Sequence, residues 1–136
     1  MTLRPFKYIW LISALTIAVA ACGDEPEDAP THAGTTDADP WQVGWEFPDA
    51  PQVGENTLLL TITDDGHGAE GLEVTVEPWM PGHGHGSPET PVVTEGNGGD
   101  YTVENLYFTM GGPWEVRIEL ADGEVEGDGV IEVDVP

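Results

Sequence analysis

The feature that most constrains this chain is a repeated alternation of apolar and polar residues with a period of two. Trp114, Val116, Ile118 and Leu120 alternate with Glu115, Arg117 and Glu119. In an extended strand successive side chains point to opposite faces, so this pattern buries one face and wets the other. Trp41, Val43, Trp45 and Phe47 repeat it against Gln42, Gly44 and Glu46. Leu72, Val74 and Val76 repeat it against Glu73, Thr75 and Glu77, and Ile131, Val133 and Val135 against Glu132 and Asp134. No window sustains a 3.6-residue period, which argues against amphipathic helices.

Three further runs complete the set. Asn56 to Thr63 is β-branched and apolar. Pro91 to Glu95 is a short candidate whose leading proline predicts an edge position. Tyr101 to Phe108 changes phase at Asn105, which predicts a bulge or an early end. Turn sequences separate the runs: Asp64-Asp65-Gly66, Gly96-Asn97-Gly98-Gly99, Gly111-Gly112-Pro113 and Asp122-Gly123. About seven short strands with regular turns predict an all-β fold, an immunoglobulin-like antiparallel β-sandwich. A closed barrel is the alternative. The Cys-Trp-Cys hallmark of antibody domains is absent, so the likeness is one of architecture.

The N-terminal residues carry a different message. Arg4 and Lys7 precede an apolar run, Ile9 to Ala21, that ends in Val19-Ala20-Ala21-Cys22. A basic flank, a short apolar core and small residues make an export signal. The run is shorter than the roughly 20 residues that cross a bilayer. The ending resembles a lipobox, which implies lipidation and membrane anchoring at Cys22, the chain's single cysteine. With no second cysteine there is no intramolecular disulfide, and the fold rests on its core. Residues 1–21 are therefore expected to be a lipoprotein signal peptide. Residues 22–40 are expected to be the lipidated Cys and a disordered acidic tether, with a reach of about 25 Å for the flexible part. Residues 41–136 are expected to form one small domain. Gly23, where retained lipoproteins of enteric-type bacteria carry Asp, points to the outer membrane or the periplasmic face of the envelope.

Charge narrows the partners. The chain has 26 Asp and Glu against 3 Lys and Arg, for a net charge of −23. Every carboxylate follows Cys22, and Arg117 is the only Lys or Arg beyond it. Such a surface repels nucleic acid. It suits solubility, a salty habitat or docking of a basic partner. A phosphate-binding Gly-rich loop would need a lysine that the exported chain lacks, and no nucleophile elbow is present. Asp122 to Asp128 alternates acids like a calcium loop, but Val133 stands where an EF-hand needs its bidentate Glu. The chain is therefore not expected to be an enzyme.

One segment breaks the strand pattern and carries chemistry. Glu77 to Glu89 holds Met80, His83 and His85 among Gly and Pro, and Phe108 to Trp114 holds Met110. In a run of antiparallel strands, successive loops alternate between the two ends. The loops after the third and fifth expected strands then share one end, and His67, after the second, lies at the other. Imidazole and thioether together suit copper, with thioether favouring Cu(I). Zinc fits less well without Cys or a clear third His. Glu77 or Glu89 could complete a harder site. A mobile solvated loop, with Met80 and Met110 plugging the end of the core, is the competing reading.

The order Trp79-Met80-Pro81-Gly82-His83-Gly84-His85-Gly86, then Gly99-Asp100-Tyr101-Thr102-Val103, then Phe108-Thr109-Met110-Gly111-Gly112-Pro113-Trp114, resembles the YtkA-like domain, a family related to the FixH proteins. The likeness spans roughly Asn56 to Leu120. It implies an immunoglobulin-like sandwich, a cell-envelope location and a link to copper handling or oxidase assembly. Family members often carry more Met in the first loop, where this chain has Gly82 and Gly84. Two functions follow as expectations. One is a lipid-anchored, non-catalytic domain binding copper through Met80, His83, His85 and Met110. The other is a metal-free acidic lipoprotein that serves a structural role or docks an envelope protein.

Overall fold

The computed structural model describes residues 32–136. The signal segment and Cys22 lie outside the described residues. Ten strands follow one another: β1 Ala33–Ala38, β2 Trp41–Glu46, β3 Gly54–Asp64, β4 His67–Gly68, β5 Glu73–Met80, β6 His85–Gly86, β7 Val92–Glu95, β8 Asp100–Phe108, β9 Gly112–Ala121 and β10 Glu126–Val135. There is no helix among the described residues. One sheet runs β1-β2-β3-β8-β7 with β4 beside β3, and the other runs β10-β9-β5-β6. Every pairing is antiparallel. The fold is the expected β-sandwich.

The core lies between the two inner faces. Val43, Leu58, Leu60, Ile62, Val103 and Phe108 meet Trp114, Val116, Ile118, Leu120 and Ile131, all buried. Each such side chain contributes about 1.5–3 kcal/mol by leaving water. The phase change at Asn105 is a bulge. Asn56 pairs with Leu106, but Leu58 pairs with Val103, so two residues of β8 face one of β3. Asn105 takes the left-handed conformation at φ 57°, which Asn tolerates better than most residues. Its amide then donates to Thr90 O at 3.0 Å. β7, after Pro91, is an edge strand as expected.

The structure corrects the tether. Ala33–Ala38 is not disordered but pairs along its whole length with β2. It also leans on the other sheet, where Thr36 Oγ1 donates to Val130 O at 3.0 Å. Small residues make this approach possible. A Cβ on Gly34 would meet the Trp45 indole at 2.7 Å, and one on Gly129 would meet Asp37 O at 3.0 Å. This strand is held by backbone pairing and close packing of glycine. It has almost no apolar side chains, so hydrophobic alternation does not reveal it. The strand number rises from about seven to ten by β1 and the two-residue strands β4 and β6.

Candidate functional site

The two loops expected to share an end do so. β5 runs up to Met80, turns through residues 81–84 and returns as β6, with Trp79 opposite Gly86 and Met80 opposite His85. Met80 O accepts the N–H of His83 at 3.2 Å and of Gly84 at 2.9 Å. The glycines are there for backbone reasons. Gly84 sits at φ 68°, in the left-handed region. A Cβ on Gly86 would press on Pro78 O at 3.0 Å. The Gly-His-Gly-His sequence is therefore a tight hairpin.

Trp114 joins this hairpin to the β8–β9 turn. Its buried indole lies edge-on to the His85 ring, with centroids 6.1 Å apart. Its Nε1–H donates to Met110 O at 3.0 Å. The His85 and His83 rings are 5.7 Å apart at 70°. His83 and Met110 are exposed, and His85 is half-buried. Met80 differs from them. It is 2% exposed and belongs to the core, with its methyl 3.0 Å from where a Cβ on Gly112 would stand. His67 pairs with Asp64 at the opposite end, and its Nδ1–H donates to Asp65 O at 3.0 Å.

The tautomer of His85 follows from its partner. Its Nδ1 lies 3.0 Å from Gly86 O. A carbonyl only accepts, so Nδ1 carries the proton and Nε2 is the nitrogen left to ligate. A ligating imidazole nitrogen sits about 2.0–2.1 Å from its metal. Adding a ring radius of about 1.1 Å, two imidazoles on one ion have centroids no more than roughly 6.4 Å apart. The His83–His85 pair is within that span. With the Met110 thioether the donor set is borderline-soft, which fits copper. Among the described residues no three His, Cys, Asp or Glu side chains gather into a cage.

The carboxylates considered for a harder site lie to the flank. Glu77 and Glu89 line a groove of about 400 Å³ together with Arg117. Arg117 donates from Nε and Nη2 to Glu115 Oε2 at 3.0 and 2.8 Å, and its guanidinium lies 4.8 Å from the Trp79 ring centroid. The acidic Asp122 to Asp128 segment is the β9–β10 turn and the first residues of β10. Asp122 accepts the N–H groups of Glu124 and Val125 at 2.9 and 2.8 Å, and these bonds hold its carboxyl below the usual range. Sequence reasoning did not single out Trp114 as the link between the loops. Its position four residues past Met110 was the available signal.

A family model described as YtkA-like matches residues 35–119, from within β1 to within β9. The match spans both loops of the pole and begins before Trp41, in agreement with the strand at Ala33–Ala38. No curated protein and no solved structure matches the chain.

Proposed function

The chain belongs to the YtkA-like family, and on that premise we propose that it is a non-catalytic cell-envelope lipoprotein whose domain binds a copper ion at the pole formed by His83, His85 and Met110. The observation that carries this reading is the imidazole pair. The two rings stand 5.7 Å apart, and the Gly86 carbonyl holds the proton on His85 Nδ1 and leaves Nε2 to ligate. The site's half-open surface suits transient holding and delivery better than permanent storage. Met80 supports the floor of the pole and becomes a fourth donor only if its side chain swings out from under Gly112. Cys22 is the lipidated residue, and the envelope is the compartment.

Trp114 supplies the readout. A copper ion on His85 lies within reach of the indole whose ring centroid is 6.1 Å from the imidazole. Full-length protein in detergent is titrated with Cu(I) against a competing chelator, and separately with Cu(II), while tryptophan emission is followed. One equivalent is expected to compete with the chelator and to quench emission. Binding should weaken in acid, because a protonated His cannot ligate. No competition in either oxidation state leaves the metal-free reading, in which the domain docks an envelope protein.

A further inference from the structure

The charge of this molecule is divided between its two ends. The loops of the His/Met end cover residues 47–53, 81–84 and 109–111 and carry one carboxylate, Asp49, while the strand ends beside them add Glu46, Glu55 and Asp134. The same end exposes Val53 at 49% and Met110 at 38%, beside exposed Pro48, Pro81 and Pro113. The opposite end is acidic throughout. Its turns carry Asp39, Asp65, Glu70, Asp122 and Glu124, and the strands that run into them finish on further carboxylates. β3, with 11 residues, runs from one end to the other, a distance of about 35 Å. That is roughly four Debye lengths at physiological salt, near 8 Å each. The two ends therefore meet a charged surface as separate bodies.

The point at which the chain enters the fold limits how far the domain can stand from its anchor. β1 runs toward the acidic end, because the Ala38–Trp41 turn lies beyond the pairing of Gln42 with Thr63. The chain thus reaches β1 from the side of the His/Met end, where His32 O accepts the Phe47 N–H at 2.7 Å. Ten peptide steps separate His32 from Cys22. At most about 35 Å of chain can therefore lie between the anchor and the domain. The domain is held within one molecular length of the bilayer, and its orientation is decided by which end tolerates that surface.

We infer that the protein stands on its bilayer with the His/Met end toward the phospholipid headgroups and the acidic end turned away. The inference rests on the lipid-anchor reading of Cys22. Anionic headgroups repel the carboxylate-dense turns within a Debye length more strongly than they repel the less acidic His/Met end. Exposed Val53 and Met110 add apolar contact at the interface. The occupant of this end is then the lipid surface, which places His83 and Met110 at headgroup level.

The test uses full-length lipidated protein in vesicles of three parts phosphatidylcholine to one part phosphatidylglycerol. Val53→Cys and Glu124→Cys are labelled separately with a fluorophore, and the quencher is a lipid spin-labelled at its headgroup. The unsubstituted chain shows how much label Cys22 itself takes. Flotation with the vesicles, against a Cys22→Ser control, reports the anchor. The expected result is at least twofold stronger quenching at position 53 than at 124. Replacing Asp65, Glu70 and Asp122 with Lys should shrink that ratio toward one. If the protein floats but the two labels quench equally, or 124 quenches more, the orientation is overturned and the anchor stands. If the protein does not float, the anchor reading fails and takes the orientation with it. If position 53 is shielded only in native membranes and never in protein-free vesicles, a membrane protein is the occupant and the lipid proposal is overturned.

Discussion

The two ends of this sandwich are closed by different chemistry. At the His/Met end the seal is aromatic and apolar: Phe108 and Trp114 stack with centroids 5.3 Å apart, His85 lies across Trp114, and Met80 fills the space under Gly112. At the acidic end the seal is a hydrogen-bonded mesh. Tyr101 Oη donates to Ala69 O at 3.0 Å and accepts Leu72 N–H at 3.2 Å, Glu95 accepts Gly71 N–H at 2.5 Å, and Glu70 accepts Gly98 N–H at 2.7 Å. The difference separates structure from availability. Carboxylates of the second mesh are committed to backbone donors. At the first end the core carries the stability, and among the described residues the exposed His83 and Met110 side chains have no hydrogen-bonding role in it.

The seal of the His/Met end depends most on Trp114. Trp114→Ala removes the indole that packs on Phe108 and His85 and holds Met110 O. A loss of about 3–5 kcal/mol is expected, read as a lower denaturant midpoint. A midpoint unchanged from the parent would mean that the His/Met end has no aromatic seal. Tyr101→Phe tests the other end with a smaller change. It strips one hydroxyl from a mesh of backbone groups and should cost about 1–3 kcal/mol.

The same tyrosine gives a pH signature. Burial, followed by the nearby Glu95 and Glu70 charges, raises its pKa above 10.0, while the Leu72 N–H bond opposes the shift. The folded state therefore prefers the neutral phenol. Its contribution is complete below the unfolded value of about 10 and is lost as pH rises through the folded value. Alkaline unfolding should begin above roughly pH 10 in the parent and lose that component in Tyr101→Phe.

The smallest stability effects sharpen the contrast most. His83→Ala and Met110→Leu alter exposed side chains and should move stability by no more than about 0.5 kcal/mol. Each should nevertheless weaken copper binding in chelator competition, and the pair should be non-additive because ligands of one ion act together. Met110→Leu nearly preserves volume and so isolates the sulfur. His67→Ala, at the acidic end, should bind copper like the parent. If only His67→Ala weakens binding, the metal is held at the wrong end for the proposed function.

Much of this arrangement was legible because a strand writes its facing into every second residue. The clean alternation of β9 and β10 left little freedom, and antiparallel order then required the His loop and the Met110 turn to share an end. Met80 was legible too, in principle. It continues the inward phase of Val74, Val76 and Pro78, all inward or half-buried along β5. Ending that strand at Glu77 is what made it look like a loop ligand equal to Met110.

By itself the sequence determined the fold class, the strand edges marked by turn residues, the division of polar from apolar faces and the shared end of the two loops. These are local or combinatorial consequences of side-chain chemistry. The tertiary structure alone decided that Ala33–Ala38 is a strand, since its stability comes from a ladder with β2 and from glycine-sized gaps beneath Trp45 and along β10. It alone also decided that Met80 is covered, that Trp114 bridges the two loops, and that one end carries more of the charged turns than the other. Each of these depends on contacts between residues far apart in the chain, and the distance between such residues is set only when the sheets close on one another.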